Sequence, residues 1–193
     1  MSEQARGPAL ITGGAGFFGG LLARRLLEAG RECVILDVRD PDFIHPRLTA
    51  LRGDIGDPTF VSEAFEEYRP ETVHHCAAML AHAVADKSFL WQSNVEGTHN
   101  VVASAADWGA RSLVFISSNC LWADNKHRPV REDDAPAPVE IYGRSKWAAE
   151  QILDRYRDKL NVITIRSPTI VEEGRLGLLA ILFEFIDEGR KVW

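Results

Sequence analysis

Cysteine is scarce in this chain, and the few present do not pair. Cys33, Cys76 and Cys120 are odd in number, far apart and without a C-x-x-C spacing. Neither a disulfide framework nor a cysteine zinc site is signalled. Long apolar runs are also missing. No stretch reaches the ~18 residues of a membrane-spanning helix, and the opening MSEQARGPAL has no apolar signal core. The expectation is a cytoplasmic protein with no membrane partner. Positive charge is in deficit, with 22 Lys and Arg against 28 Asp and Glu and a net charge of −6. The signs are interspersed, which argues against nucleic acid as a partner. His74 and His75 are adjacent in an apolar run. On a strand they would point to opposite faces and could not share one ion, so no metal is expected.

What is present is an alternation. The apolar runs ALITG, ECVILDV, LTALRGD, ETVHHCAA, RSLVFISS and LNVITIRSP read as strands. Between them FFGGLLARRLLEAG, DPTFVSEAFEEY, SFLWQSNVEGTHNVVASAADWG and IYGRSKWAAEQILDRYRD have helical periodicity, and LGLLAILFEFIDEG follows as a last helix. Gly30 is placed as a C-terminal cap, Asp57 as an N-cap and Pro58 at the first helical position. Trp91, Trp108 and Trp147 fall within helices and are expected to pack on the sheet. Strand and helix in strict succession predict an α/β fold: a doubly wound parallel sheet covered on both faces, three layers in all.

The densest local signal is LITGGAGFFGG, Leu10 to Gly20. Glycine is costly inside a strand or helix, so five in eleven residues need a reason. Gly13, Gly16 and Gly19 fall at a strand-to-helix turn. The first suits a tight turn, the second a close backbone approach to a pyrophosphate, and the third close helix–strand packing. The helix that follows offers free N–H groups to phosphate. Asp37 ends the next strand, where a carboxylate can accept both ribose hydroxyls and repel a 2′-phosphate. NAD is the expected cofactor. Arg39 keeps NADP as an alternative, because a guanidinium can pair a 2′-phosphate.

A second constellation lies in IYGRSKWAAE. Tyr142 and Lys146 are four apart and share one helix face. A free tyrosine, with a pKa of ~10, is a poor base at neutral pH; an adjacent ammonium favours the phenolate. Such a pair can exchange a proton with a substrate hydroxyl or carbonyl during hydride transfer.

Taken in order, these motifs resemble the extended branch of the short-chain dehydrogenase/reductase superfamily, the NAD-dependent epimerase/dehydratase family. The matching segments are TGGAGFFG, GDIGD, HCAA, NVEGTHNVV, FISSNCLWA, PVREDDAPAPVEIYGRSKWAAE and IRSP, from Ala9 to about Gly174. The resemblance implies a Rossmann fold with NAD held by Gly13, Gly16, Phe17, Phe18 and Gly19. It implies that Asp37 binds the ribose, that Asp54 and Ile55 line the adenine pocket, and that Ala77 and Ala78 pass beside the cofactor. Asn94 would support the active site, Ser117 would lie against the nicotinamide, and Pro168 would close over it. Ser118 would bond the reacting oxygen, Tyr142 would be the acid/base, and Lys146 would hold the ribose and lower the tyrosine pKa. His82 falls where relatives border the substrate.

Departures from the family pattern narrow the chemistry. Dehydratases of this branch carry Asp–Glu directly after the catalytic hydroxyl, where this chain has Asn119 and Cys120. A dehydratase of that type is not expected. Cys120 stands where GDP-fucose synthases have a catalytic thiol, but also reads as a small structural cysteine. The expected function is a nucleotide-sugar epimerase using transient hydride transfer. A dehydrogenase or reductase of a sterol-like or small carbonyl substrate, and a non-catalytic NAD-binding regulatory module, stand as alternatives. Residues 1–193 would form the NAD-binding domain, with 173–193 beginning a substrate-binding lobe that is otherwise largely absent. Relatives commonly dimerise through two helices, so a homodimer is an expected assembly.

Overall fold

Short runs of apolar residues fold here into strands whose side chains alternate between two covered faces. The structure, a computed structural model, describes residues 7–81, 86–122, 128–171 and 178–190. The strands are β1 (Ala9–Thr12), β2 (Cys33–Asp37), β3 (Leu48–Arg52), β4 (Thr72–His75), β5 (Ser112–Ser118) and β6 (Asn161–Ser167). They form one parallel sheet in the order β3-β2-β1-β4-β5-β6. The helices are α1 (Phe17–Glu28), α2 (Pro58–Tyr68), α3 (Lys87–Trp91), α4 (Gly97–Asp107), α5 (Ile141–Asp154) and α6 (Leu178–Asp187). This is the doubly wound Rossmann arrangement predicted from the alternation of patterns.

Alternation along the strands sorts the core. Leu10, Val34, Leu36, Val73, Leu113 and Phe115 meet Val61 and Phe65 of α2, Val101 and Val102 of α4, and Ala149 and Leu153 of α5. Ala9, Ile11, Cys33 and Ile35 face the other way, against Ala23 and Leu27 of α1. Burying each large side chain contributes roughly 1.5–3 kcal/mol.

Local signals set the helix ends. Asp57 caps α2 by accepting from the Thr59 and Phe60 N–H groups, with Pro58 leading the helix. Gly30 follows α1 at φ +81°. Its N–H donates to Leu27 and that of Arg31 to Leu26, a closure that favours glycine in the left-handed position. Three features differ from expectation. The long helix drawn from Ser88 is interrupted by a π-helical turn over Gln92–Glu96, and such turns often mark functional positions. Helix α5 ends at Asp154, about one turn earlier than its pattern suggested. Trp91 is 39% exposed rather than packed on the sheet, its neighbour Leu90 being the buried residue instead, whereas Trp108 packs on the core. Among the described residues, no helix is long and apolar enough to cross a membrane.

The strand order fixes where a ligand can bind. The chain runs outward from β1 to β3, then crosses back to β4 on the other side of β1. Helices leave β1 and β4 on opposite faces, which opens a crevice at their carboxyl ends.

Candidate active site

The turn leaving β1 enters that crevice. Gly13 has φ +70°, and a Cβ there would lie 2.7 Å from the Ala77 backbone nitrogen. The turn thus presses against the segment leaving β4, which only a residue without a side chain allows. A Cβ on Gly19 would run into the Gly13 carbonyl oxygen and sit 2.9 Å from the carbonyl carbon. Gly14 was not singled out by the sequence reading, yet a Cβ there would meet Ile35 at 2.5 Å. Gly16 is the N-cap of α1, so the first N–H groups of the helix face the crevice. The Asp37 carboxylate reaches this turn, accepting from the Ala15 N–H at 3.0 Å and from its neighbour Arg39 N–H at 3.1 Å. A backbone cradle at a helix N-terminus, with no room for a Cβ at Gly13, Gly14 or Gly19 and flanked by a carboxylate, fits a dinucleotide pyrophosphate and ribose.

Farther along the same rim, Asp54 accepts from the Gly56 N–H. Ile55 is buried, and its carbonyl accepts from Asn100 Nδ2. Ala77 and Ala78 leave β4 half-buried, and Phe17 and Phe18 open α1 half-buried. Asn94 sits in the π-helical turn, 2% exposed. Its Oδ1 accepts from Met79 N–H at 2.7 Å, while Nδ2 donates to the Met79 carbonyl and to Ser145 Oγ at 3.0 Å each. Ser145 Oγ donates in turn to the Tyr142 carbonyl. Asn94 thereby joins the segment after β4 to the first turn of α5. Pro168 follows β6 and is exposed.

Helix α5 starts at Glu140, whose carboxylate accepts from the Tyr142 and Gly143 N–H groups. Tyr142 is half-buried and Lys146 fully buried one turn on. Lys146 Nζ donates to the Ile116 carbonyl at 2.9 Å and lies 4.6 Å from the Phe115 ring centroid and 6.0 Å from that of Tyr142. The expectation that Lys146 lowers the tyrosine pKa is corrected here. Burial, followed by the Cys120 and Glu140 charges, pushes the Tyr142 phenol up to about 12. Burial pulls the Lys146 ammonium down to about 8. Burial of the phenol is the larger effect, and the Lys146 ammonium lies 6.0 Å from the ring centroid. Burial thus favours the phenol over the phenolate form of Tyr142.

Ser118 ends β5, 8% exposed, with its Oγ accepting from the Cys120 N–H at 3.2 Å. Ser117 points to the α5 side of the sheet, where its hydroxyl donates to Glu150 Oε1 at 2.5 Å. That hydroxyl is engaged in the interior, so any approach to a nicotinamide falls to the Ser117 backbone. Glu150 also receives Arg166 through Nη2 at 2.8 Å and Nε at 3.1 Å. The sequence reading missed this pair, although Glu150 lies one turn beyond Lys146 on the same buried stripe. An open cavity of about 830 Å³ adjoins it, lined by Asn119, Trp122, Glu132 and Arg166 among others. Cys120 is exposed and free, as are buried Cys33 and half-buried Cys76 in having no disulfide. Among the described residues no three His, Cys, Asp or Glu side chains group as metal ligands. His82 and the 173–177 part of the expected substrate lobe lie outside the described residues.

Comparison with known proteins agrees with this geometry. The model of the NAD dependent epimerase/dehydratase family matches residues 9–176. The chain is 36% identical over 183 residues to protein y4nG of Sinorhizobium fredii, spanning 94% of this chain and 46% of that protein. It is 33% identical over 168 residues to an Escherichia coli O157:H7 enzyme, N-acetyl-alpha-D-glucosaminyl-diphospho-ditrans,octacis-undecaprenol 4-epimerase, covering 84% of this chain and 48% of the enzyme. Among solved structures, Bordetella bronchiseptica WbmH in complex with NAD+ superposes with a TM-score of 0.84 at 29% identity, over 96% of this chain and 64% of that one. The chain spans about half the length of the curated relatives it matches. It belongs to the NAD-dependent epimerase/dehydratase family.

Proposed function

We propose that this family member carries the cofactor-binding and catalytic half of a nucleotide-sugar epimerase that uses NAD. The observation that supports the reading is that Gly13 in the turn after β1 abuts Ala77 after β4, while Lys146 of α5 bonds the Ile116 carbonyl near the end of the adjacent strand β5. Relatives with 29–33% identity include UDP-glucose 4-epimerases and the undecaprenol-linked 4-epimerase, which favours a sugar carbinol as the reacting group.

In this reading Gly13, Gly16 and Gly19 admit the pyrophosphate to the start of α1, with Phe17 and Phe18 beside it. Asp37 accepts the adenosine ribose hydroxyls, and its negative charge selects against a 2′-phosphate. Asp54 and Ile55 border the adenine, and Ala77, Ala78, Ser117 and Pro168 border the nicotinamide end. Bound NAD would supply a reversible hydride acceptor at the substrate carbon. Ser118 Oγ orients the reacting oxygen. Tyr142 exchanges one proton with the reacting oxygen: as phenolate it takes the hydroxyl proton while the carbinol is oxidised, and as phenol it returns that proton while the keto group is reduced. Lys146, pulled down to about 8 by burial, still holds its proton for the most part at neutral pH and adds positive charge beside the phenol. Asn119 and Cys120 leave no carboxylate pair after Ser118 to run an elimination.

The test is calorimetric titration of the protein with NAD and NADP, then assay with UDP-sugars. The expected result is binding of NAD over NADP, weakened by Asp37→Ala, and a change in sugar configuration without net formation of reduced cofactor. Loss of epimerisation in Tyr142→Phe with NAD binding intact would support the role of the phenol. Stoichiometric accumulation of reduced cofactor would replace the epimerase reading with a dehydrogenase. Absence of binding to either dinucleotide would overturn both.

A further inference from the structure

One buried titratable group takes no part in the chemistry above. His75 ends β4 with no solvent exposure, and its ring stacks on Phe115 at 5.3 Å and 28°. Its Nδ1 lies 2.6 Å from Thr12 Oγ1 on β1, and its Nε2 lies 2.8 Å from Thr98 Oγ1 on α4.

The hydrogens in this chain can be assigned by counting. Thr98 Oγ1 is 2.7 Å from the Asn94 carbonyl, which can only accept, so the single hydroxyl hydrogen of Thr98 goes there. Thr98 must then accept from His75, which places a hydrogen on Nε2. In a neutral ring Nδ1 is left as an acceptor, and Thr12 donates to it. Thr12 in turn accepts from the Ala77 N–H at 3.3 Å. The order is fixed: Ala77 N–H to Thr12, Thr12 to His75, His75 to Thr98, and Thr98 to the Asn94 carbonyl. Burial and the nearby Lys146 ammonium push the ring pKa down to about 3, and the neighbouring Cys76 thiol is itself pushed up to about 12 by burial.

The two ends of this chain lie at the two halves of the site. Ala77 abuts Gly13 in the turn after β1. Asn94 holds Met79 and, through Ser145, the Tyr142 carbonyl. We propose that His75 is a positioning residue. As a neutral ring protonated at Nε2 it links the glycine-turn side of the crevice to Asn94 and the start of the Tyr142 helix. An apolar side chain of similar volume would fill the space but break the chain, leaving the Thr12 and Thr98 hydroxyls short of a partner. The functional consequence rests on the NAD-binding reading; the tautomer does not.

The experiment has two arms. Nitrogen-15 spectra of histidine-labelled protein should show His75 bare at Nδ1 and protonated at Nε2, unchanged from about pH 5 to about pH 8, the range in which an ordinary histidine titrates. Thr98→Val, which removes the acceptor, should move the proton to Nδ1 in part or wholly. The opposite tautomer, or titration of the ring within that range, overturns the proposal. In the second arm NAD affinity is compared between His75→Gln, whose amide can still donate toward Thr98, and His75→Leu. His75→Gln should bind within about threefold of wild type and His75→Leu about tenfold more weakly. Equal affinity of the two variants reduces the ring to a filler and overturns positioning. If wild-type protein binds no NAD, the cofactor reading fails, while the nitrogen spectra still decide the state of His75.

Discussion

Replacing Arg166 with Met removes the guanidinium that the buried Glu150 carboxylate faces. The Glu150 side chain is 5% exposed and that of Arg166 21%. The contact is two-pronged, and among the described residues Glu150 would keep only the Ser117 hydroxyl as a side-chain donor. Removing one partner of a buried pair costs about 3–5 kcal/mol. Partial access of water to the Arg166 position puts the expected loss at the lower end, about 3 kcal/mol. At ~2–4 °C per kcal/mol for a domain of this size, the melting temperature should fall by roughly 6–12 °C. The assay is urea unfolding at neutral pH for Arg166→Met, Glu150→Leu and the double variant. The double variant should be less destabilised than the sum of the singles, because it leaves no unpaired buried charge. An Arg166→Met loss below about 1 kcal/mol, or strictly additive singles, would refute the view that this pair ties α5 to β5 and β6. NAD affinity should fall alongside stability, since α5 carries both Tyr142 and Lys146.

Three further outcomes are expected. Gly19→Ala forces the start of α1 away from the Gly13 carbonyl and should weaken NAD binding about tenfold or more, measured by calorimetry. Lys146 has a folded pKa of about 8, below its ordinary value. As pH rises from there the unfolded chain holds the proton longer, so wild type should gain up to roughly 3 kcal/mol over Lys146→Met before the ordinary lysine range is passed; a flat difference would contradict the burial argument. His75 has a folded pKa of about 3, also lowered. Its contribution is present above the ordinary histidine value and lost on acidification, so the stability gap between wild type and His75→Gln should narrow as pH falls from about 6.5 toward about 4.

Much of the fold was legible because its signals are local. Asp57–Pro58 announces the start of α2, and Gly30 the end of α1, through backbone conformations that depend on few neighbours. The spacing of Gly13, Gly16 and Gly19 marks a strand-to-helix turn, and the four-residue interval from Tyr142 to Lys146 places both on one face of α5. The π-helical turn at Asn94 left no mark in the periodicity, because QSNVEGTHN holds one large apolar residue, Val95, and so has no stripe in which the inserted residue could register. The outward position of Trp91 was equally hidden, because only docking of the helix decides which of the adjacent apolar residues Leu90 and Trp91 is buried.

By itself, then, the sequence determined the alternation of strands and helices, the glycine turn, the carboxylate at the end of β2 and the Tyr–Lys interval. Each is a short-range property of backbone geometry and side-chain volume. Only the tertiary structure decided the burial that shifts Tyr142 up and Lys146 down, the direction of the hydrogen bonds around His75, and the capture of the Ser117 hydroxyl by Glu150. These depend on burial and on partners tens of residues away, such as Thr12 and His75 or Glu150 and Arg166. Desolvation and hydrogen-bond satisfaction come into being only when the sheet brings such residues together.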